Sequence, residues 1–263
     1  MGVNLKSKAI DNSHALRTSE RATQFTGRFK SSLALRLLVD TRVDMQILFE
    51  DNHLLVLNKP ANWVVQGALP GQQSLFDWSA AYLKKKHDKP GKAFIGVVSR
   101  LDAPVTGVMP FARTSKSASR LSEQFRDHTT RKTYWAIVGN RPKESAARLE
   151  HHLVRREEDF KTRVSATATQ ESKLAILEYQ CVGQNRLGYE LEINLITGRK
   201  HQIRAQLEAI GCPIRGDKKY GADEPFSKGI ALHCRCLELS HPTLQTELRF
   251  EAETPPYWQW NGQ

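Results

Sequence analysis

The sequence predicts an α+β domain folded around a mainly antiparallel sheet. Two observations carry that expectation. Apolar runs of strand length recur along the chain, split by turn residues. Few stretches between them have the i, i+3, i+4 recurrence of a helix, so the strands do not alternate with helices as a doubly wound parallel sheet requires.

The elements follow in order. Gln46–Glu50 and His53–Asn58 are apolar runs divided by Asp51–Asn52, a turn pair, and predict a hairpin. Ser74 suits the N-cap of a helix reaching about His87, with Leu75, Trp78 and Tyr82 turned inward. Strands over Phe94–Val98 and Val108–Ala112 flank the loop Ser99–Gly107. A helix from Ser115 to about His128 repeats Ala118, Leu121 and Phe125 at helical spacing, and Thr133–Val138 is a strand. Two more strands are expected between Arg148 and Thr169, then Lys173–Val182 and Tyr189–Leu195. The last of these alternates Leu191, Ile193 and Leu195 with Glu190, Glu192 and Asn194. A helix over about Arg199–Ala209 precedes closing strands at Ile230–Leu239 and Thr246–Phe250.

Composition narrows the partner. The net charge of +11 favours a polyanion, because each phosphate contact releases condensed counterions. No window is apolar for long enough to cross a bilayer as a helix. Cys181, Cys212, Cys234 and Cys236 form no C-x-x-C pair; a disulfide framework, a structural metal and a cofactor are not expected, and a reducing, cytoplasmic setting is. Residues 1–44 read as a separate basic leader, with Lys6, Lys8, Arg17, Arg21 and Arg28 among scattered Ser and Thr. A disordered RNA-binding arm, an organellar presequence and an early start codon ahead of Met45 stand as three readings of it.

Three segments carry chemistry. In Val98-Ser-Arg-Leu-Asp-Ala-Pro-Val-Thr-Gly107 a strand ends in a loop whose Pro104 and Gly107 stiffen the return, holding Asp102 at the lip of a sheet. Asp102 there is either a reactive carboxylate or a loop cap paired with Arg100. In Leu195-Ile-Thr-Gly-Arg-Lys-His-Gln-Ile-Arg204 a strand turns into a helix start lined with cations, a place for a phosphate or a buried carboxylate. Lys200 and Arg204 read equally well as a solvated basic face. In Arg131-Lys-Thr-Tyr-Trp-Ala-Ile-Val138 basic residues lead into adjacent aromatics, and strand alternation sends Tyr134 and Trp135 to opposite faces.

These segments resemble the signature stretches of the RluA family of pseudouridine synthases. Arg100-Leu-Asp102 with Thr106-Gly107 is similar to its H-R-L-D-x-x-T/S-G motif, and Thr197-Gly-Arg-x-His-Gln-Ile-Arg204 to its T-G-R-x-H-Q-I/L-R motif. Gly216-Asp-Lys-Lys-Tyr-Gly221, Asn58-Lys-Pro60 and Lys132-x-Tyr134 resemble three more, all in family order over residues 46–253. Ser99 stands where the family has His, Ala103-Pro-Val replaces the commoner run, and no S4-like RNA-binding module is recognisable before Gln46.

The resemblance implies a mixed, mainly antiparallel sheet with flanking helices around a catalytic cleft. It implies an isomerase that converts uridines of structured RNA, ribosomal or transfer, to pseudouridine without metal or cofactor, acting as a monomer. Asp102 is then the catalytic carboxylate, Arg199 the cation that holds it bidentately, and Tyr134 the residue stacking on uracil. Arg100 helps displace the target base, and Leu195 or Ile196 forms the apolar wall beside it. Lys59, Lys132, Lys200 and Arg204 are candidates for backbone phosphates. An RNA-binding protein without activity would carry the same charge, but gives no reason for Asp102, Tyr134 and Arg199 to occur together.

Overall fold

In the computed structural model, which describes residues 45–88 and 90–259, the sheet begins on turn chemistry. Oδ1 of Asp51 accepts the N–H groups of His53 and Leu54 at 2.7 and 2.6 Å, closing the hairpin between β1 (Ile47–Glu50) and β2 (Leu54–Lys59). The leader expected over residues 1–44 lies outside the described residues.

The further strands are β3 (Gly96–Val97), β4 (Thr106–Ala112), β5 (Arg131–Val138), β6 (Ala146–Arg155), β7 (Thr162–Ser165), β8 (Lys173–Asn185), β9 (Gly188–Leu195), β10 (Leu232–Ser240) and β11 (Glu247–Glu251). They make one 11-stranded sheet in the order β1-β2-β4-β10-β5-β9-β8-β6-β7, with β11 beside β10 and β3 beside β4. Among the described strands one pairing is parallel, β4 with β10; the rest are antiparallel. The expected α+β class and mainly antiparallel sheet are therefore present. Two expectations need correction. The strand expected over Phe94–Val98 shrinks to Gly96–Val97, with Phe94 exposed. The last helix starts three residues late, for a reason that belongs to the site.

Helix α1 (Leu75–Lys86) opens on a capping box between Ser74 and Asp77, and α2 (Ser115–Arg126) on one between Thr114 and Ser117. Each cap stabilises its helix by about 1 kcal/mol. Helix α1 buries Leu75, Trp78 and Leu83 against Leu55, Leu57, Met109 and Phe111. Truncating Trp78 to Ala at such a site costs roughly 3–5 kcal/mol. The alternate residues Leu54, Val56 and Val108 join the main core with Leu121 of α2 and Ile203 and Leu207 of α3 (Gln202–Ala209). Strands β2 and β4 are thus covered on both faces. That double cover makes their shared end rigid, and the candidate site hangs from it.

Candidate active site

Asp102 lies on the loop between β3 and β4, and four contacts fix that loop. Thr106 Oγ1 lies 2.7 Å from Nδ1 of buried His233 on β10. Gly107 pairs with Cys234 at φ +112°, so close that a Cβ would stand 2.2 Å from the Cys234 carbonyl oxygen. Ile230 N–H donates to the Pro104 carbonyl at 3.2 Å beside Gly229, where φ is +70° and a Cβ would again meet the Pro104 oxygen at 2.2 Å. The fourth contact is Lys59. Two-residue alternation sets it in one row with Leu55 and Leu57, inside the protein. It is fully buried, and its Nζ donates to the Pro60 and Ala103 carbonyls at 2.9 Å each. Burial brings the Lys59 ammonium down to about 7, against the opposing pull of Asp102. The expectation that Lys59 holds an RNA phosphate is therefore wrong: it tethers the Asp102 loop from inside.

The second segment is shaped by Gln202. Its Oε1 accepts Thr197 Oγ1–H at 2.8 Å and the Arg199 N–H at 3.0 Å, while Nε2 donates to the Ile176 carbonyl. Residues 197–201 are thereby held as a turn, and the helix begins only at Gln202. His201 caps it in the left-handed region at φ 54°. Arg204, on the first turn, points back under the loop. Nη1 reaches Oδ2 of Asp102 at 2.9 Å, and Nε and Nη2 grip the two oxygens of buried Asp217 at 2.7 and 2.8 Å. This corrects two expectations. The cation paired with Asp102 is Arg204, not Arg199, whose Nε donates to the Leu174 carbonyl instead. Arg204 is buried between two carboxylates and presents nothing to a phosphate. Nor is Asp102 paired with Arg100, which stays exposed at the rim.

Between the two segments opens a cleft of about 750 Å³. Asp102, Arg100, Tyr134, Lys132, Leu195, Arg199, Lys200 and Arg204 all line it, as does Ser99 at the position where the sequence departs from its family pattern. Ile196 is not among the lining residues; its N–H donates to the Ile176 carbonyl. Apolar walls come from Val64, Val65, Leu101, Val108, Phe125, Leu232 and Leu237, with Leu195 opposite the loop. Sequence reasoning missed Lys219 on the rim, His201 against Asp102, and Asp217 and Tyr220 beneath them. The motif Gly216-Asp-Lys-Lys-Tyr-Gly221 was the available signal. It pointed to a place in the chain, not to a direction for any side chain.

Electrostatics sorts these groups by role. Oδ2 of Asp102 is taken by Arg204, while no donor among the described residues reaches Oδ1 within hydrogen-bond distance. Arg204 is held above its ordinary value by Asp217 and Asp102 despite the burial that opposes its charge, so it is a permanent cation. Burial, with Cys234 and Asp102 adding to it, drives the Tyr134 phenol well above 10, so it stays protonated. Burial also lowers Lys132, whose ammonium sits 5.8 Å from the Phe125 ring centroid. Lys200 is lowered by burial and by the nearby cations Arg155, Arg100 and Lys219, which together make a positive rim. Among the described residues no group of three or more His, Cys, Asp or Glu side chains is set to hold a metal ion. The arrangement offers one carboxylate gripped by Arg204 on a single oxygen, a protonated phenol, apolar walls and a cationic mouth.

Comparison with known proteins points the same way. A family described as RNA pseudouridylate synthase matches residues 53–209. Ribosomal large subunit pseudouridine synthase C of Rickettsia prowazekii (strain Madrid E) is 30% identical over 229 residues, covering 86% of this chain and 72% of that protein. Ribosomal large subunit pseudouridine synthase D of Zymomonas mobilis subsp. mobilis is 29% identical over 227 residues, covering 81% and 70%. The solved structure of human RNA pseudouridylate synthase domain containing 4 superposes with a TM-score of 0.68 at 28% identity, over 81% of this chain and 90% of that one.

Proposed function

We propose, for a chain that belongs to the RNA pseudouridylate synthase family and so isomerises uridine to pseudouridine in RNA, that Asp102 is the reacting carboxylate and that the target uridine swings out of its stack into the cleft. The N1–C1′ bond of uridine breaks, the uracil turns, and C5 joins C1′. C5 loses a proton and N1 gains one, so composition is unchanged. Both routes open to an aspartate, attack on C1′ and removal of the 2′ hydrogen, begin from an ionised carboxylate with one oxygen free. The observation that supports the reading is the one-sided grip on Asp102, with Arg204 on Oδ2 at 2.9 Å and Oδ1 left to the cleft.

Tyr134 has a protonated phenol and a ring against the cleft, fitting a partner that stacks on uracil and holds a proton near C5. Leu195 supplies apolar wall. Arg100 at the exposed rim fits a residue that helps displace the base, at a cost of a few kcal/mol that phosphate contacts by Lys200, Lys219 and Arg199 offset. Relatives named for the large ribosomal subunit make its RNA the first pool to test. The test is tritium release from C5-labelled uridine in ribosomal RNA of cells lacking the gene. Release by the natural chain and none by Asp102→Asn, with RNA binding equal, is expected. Equal release from both overturns the role of Asp102.

A further inference from the structure

Beneath the cleft runs a hydrogen-bond chain that ends at His201, beside Asp102. Tyr220, on a short turn of 3-10 helix (Lys218–Tyr220), is fully buried. Its hydroxyl accepts the Thr162 N–H of β7 at 3.0 Å and lies 2.8 Å from Nδ1 of His201. A phenol has one proton to give. With the Thr162 N–H already accepted, the acceptor left for that proton among the described residues is Nδ1 of His201. A proton on Nδ1 would strand the phenolic proton in the interior, an unfavourable arrangement. Tyr220 therefore donates to His201, and the imidazole carries its own proton on Nε2.

Nε2 faces Oδ2 of Asp102 at 3.6 Å, just beyond hydrogen-bond reach, on the oxygen that Arg204 already holds. His201 makes no side-chain cap to its helix, although it stands at the N-cap in a left-handed conformation that side chains seldom adopt. Its ring meets Tyr220 instead. Burial brings the imidazole down to about 4, with Asp102 opposing and Arg204, Lys200 and Lys219 reinforcing, so at neutral pH the ring is uncharged.

We propose that His201 is a positioning residue for Asp102: Tyr220 fixes its Nε2–H tautomer, and that N–H closes on Oδ2 when RNA fills the cleft, leaving Oδ1 toward the sugar. The proposal rests on Asp102 as the reacting carboxylate. Two donors on one oxygen set which lone pairs meet substrate, a matter of orientation more than of charge.

The experiment has two arms. Long-range nitrogen–proton spectra of histidine-labelled protein at neutral pH, assigned with His201→Asn, read the tautomer without any activity. A neutral Nε2–H ring in the natural chain, becoming a tautomer mixture in Tyr220→Phe, is expected; an Nδ1–H ring or an imidazolium in the natural chain overturns the proposal. In the second arm, single-turnover tritium release is followed against pH for His201→Asn, which tolerates the left-handed backbone but is too short to reach Asp102, and for His201→Gln, whose amide reaches about as far as Nε2. Turnover down about tenfold or more in the Asn variant is expected, with unchanged RNA affinity, an acid limb moved to higher pH, and most of the rate restored by Gln. Full turnover in Asn, or equal loss in Asn and Gln with no shift of the limb, overturns the role. No turnover by the natural chain overturns the reading of Asp102 and this role with it, while the spectra still report the tautomer.

Discussion

Arg204 holds two carboxylates at once, Asp102 through Nη1 at 2.9 Å and Asp217 through Nε and Nη2 at 2.7 and 2.8 Å. A lysine has one point of charge and no fork, so it cannot keep both partners in place. Arg204→Lys is expected to lose about 3 kcal/mol of stability by denaturant unfolding and at least tenfold in turnover, because one buried carboxylate is left short of donors. Arg199→Ala, which removes a side chain tied to the Leu174 carbonyl, is expected to keep its unfolding midpoint and single-turnover rate and to bind RNA more weakly. A tenfold lower rate in Arg199→Ala at saturating RNA would contradict the separation of these two arginines.

Lys59 provides the second prediction. Methionine matches its length but donates nothing to the Pro60 and Ala103 carbonyls. Lys59→Met is expected to leave RNA affinity unchanged, since the side chain is fully buried, and to lower the rate at saturating RNA by about tenfold as the Asp102 loop loosens. Filter binding and single-turnover assays on one preparation check both halves.

Gly107 supplies the third. At φ +112°, and with the Cys234 carbonyl oxygen 2.2 Å from where a Cβ would stand, Gly107→Ala must push β4 off β10. Gly221 has φ +82° and nothing within 4 Å of its Cβ position, so it is the control. Calorimetry is expected to show Gly221→Ala losing about 1 kcal/mol, the ordinary left-handed penalty, and Gly107→Ala losing clearly more than that.

The fourth concerns acid. Burial, with Arg235 adding to it, outweighs the hydrogen bond to the Ala252 carbonyl and brings His233 down to about 4, from 6.5 in an unfolded chain. Between those values the unfolded chain binds the extra proton, so stability is full above pH 6.5 and falls as pH drops toward 4. The loss from this one group is on the order of 3 kcal/mol. His201, also brought down to about 4, acts in the same window and with the same sign. Urea unfolding from pH 7 to pH 4 is expected to give a declining stability, and His233→Gln a visibly shallower decline. An unchanged slope would mean that His233 is not a neutral buried ring.

Much of this was legible in the sequence because period-two alternation and turn residues act locally. Leu191 and Ile193 fall inside as their pattern requires, Asp51 closes its hairpin, and Ser74 caps its helix. The partner of Asp102 was not legible. Arg199 and Arg204 share one motif, and which of them turns under the loop depends on Gln202, whose amide holds residues 197–201 out of the helix. Local propensity has no access to that contact. Lys59 was misread for a related reason: a lysine at a strand end looks solvated until both faces of β2 are known to be covered.

The parallel junction of β4 with β10 has a consequence for synthesis. Thr106 and His233, which fasten it, stand 127 residues apart, and Asp102 waits 102 residues for Arg204. A chain emerging from the ribosome therefore makes its N-terminal hairpin and α1 early, with Lys59 on the Asp102 loop, but that loop lacks its contacts to Ile230, His233 and Cys234 until β10 has emerged. Nascent chains stalled before residue 232 hold Asp102 and Tyr134 without the strand that lies between β4 and β5. The site is therefore expected to be complete only once β10 has taken its place between β4 and β5.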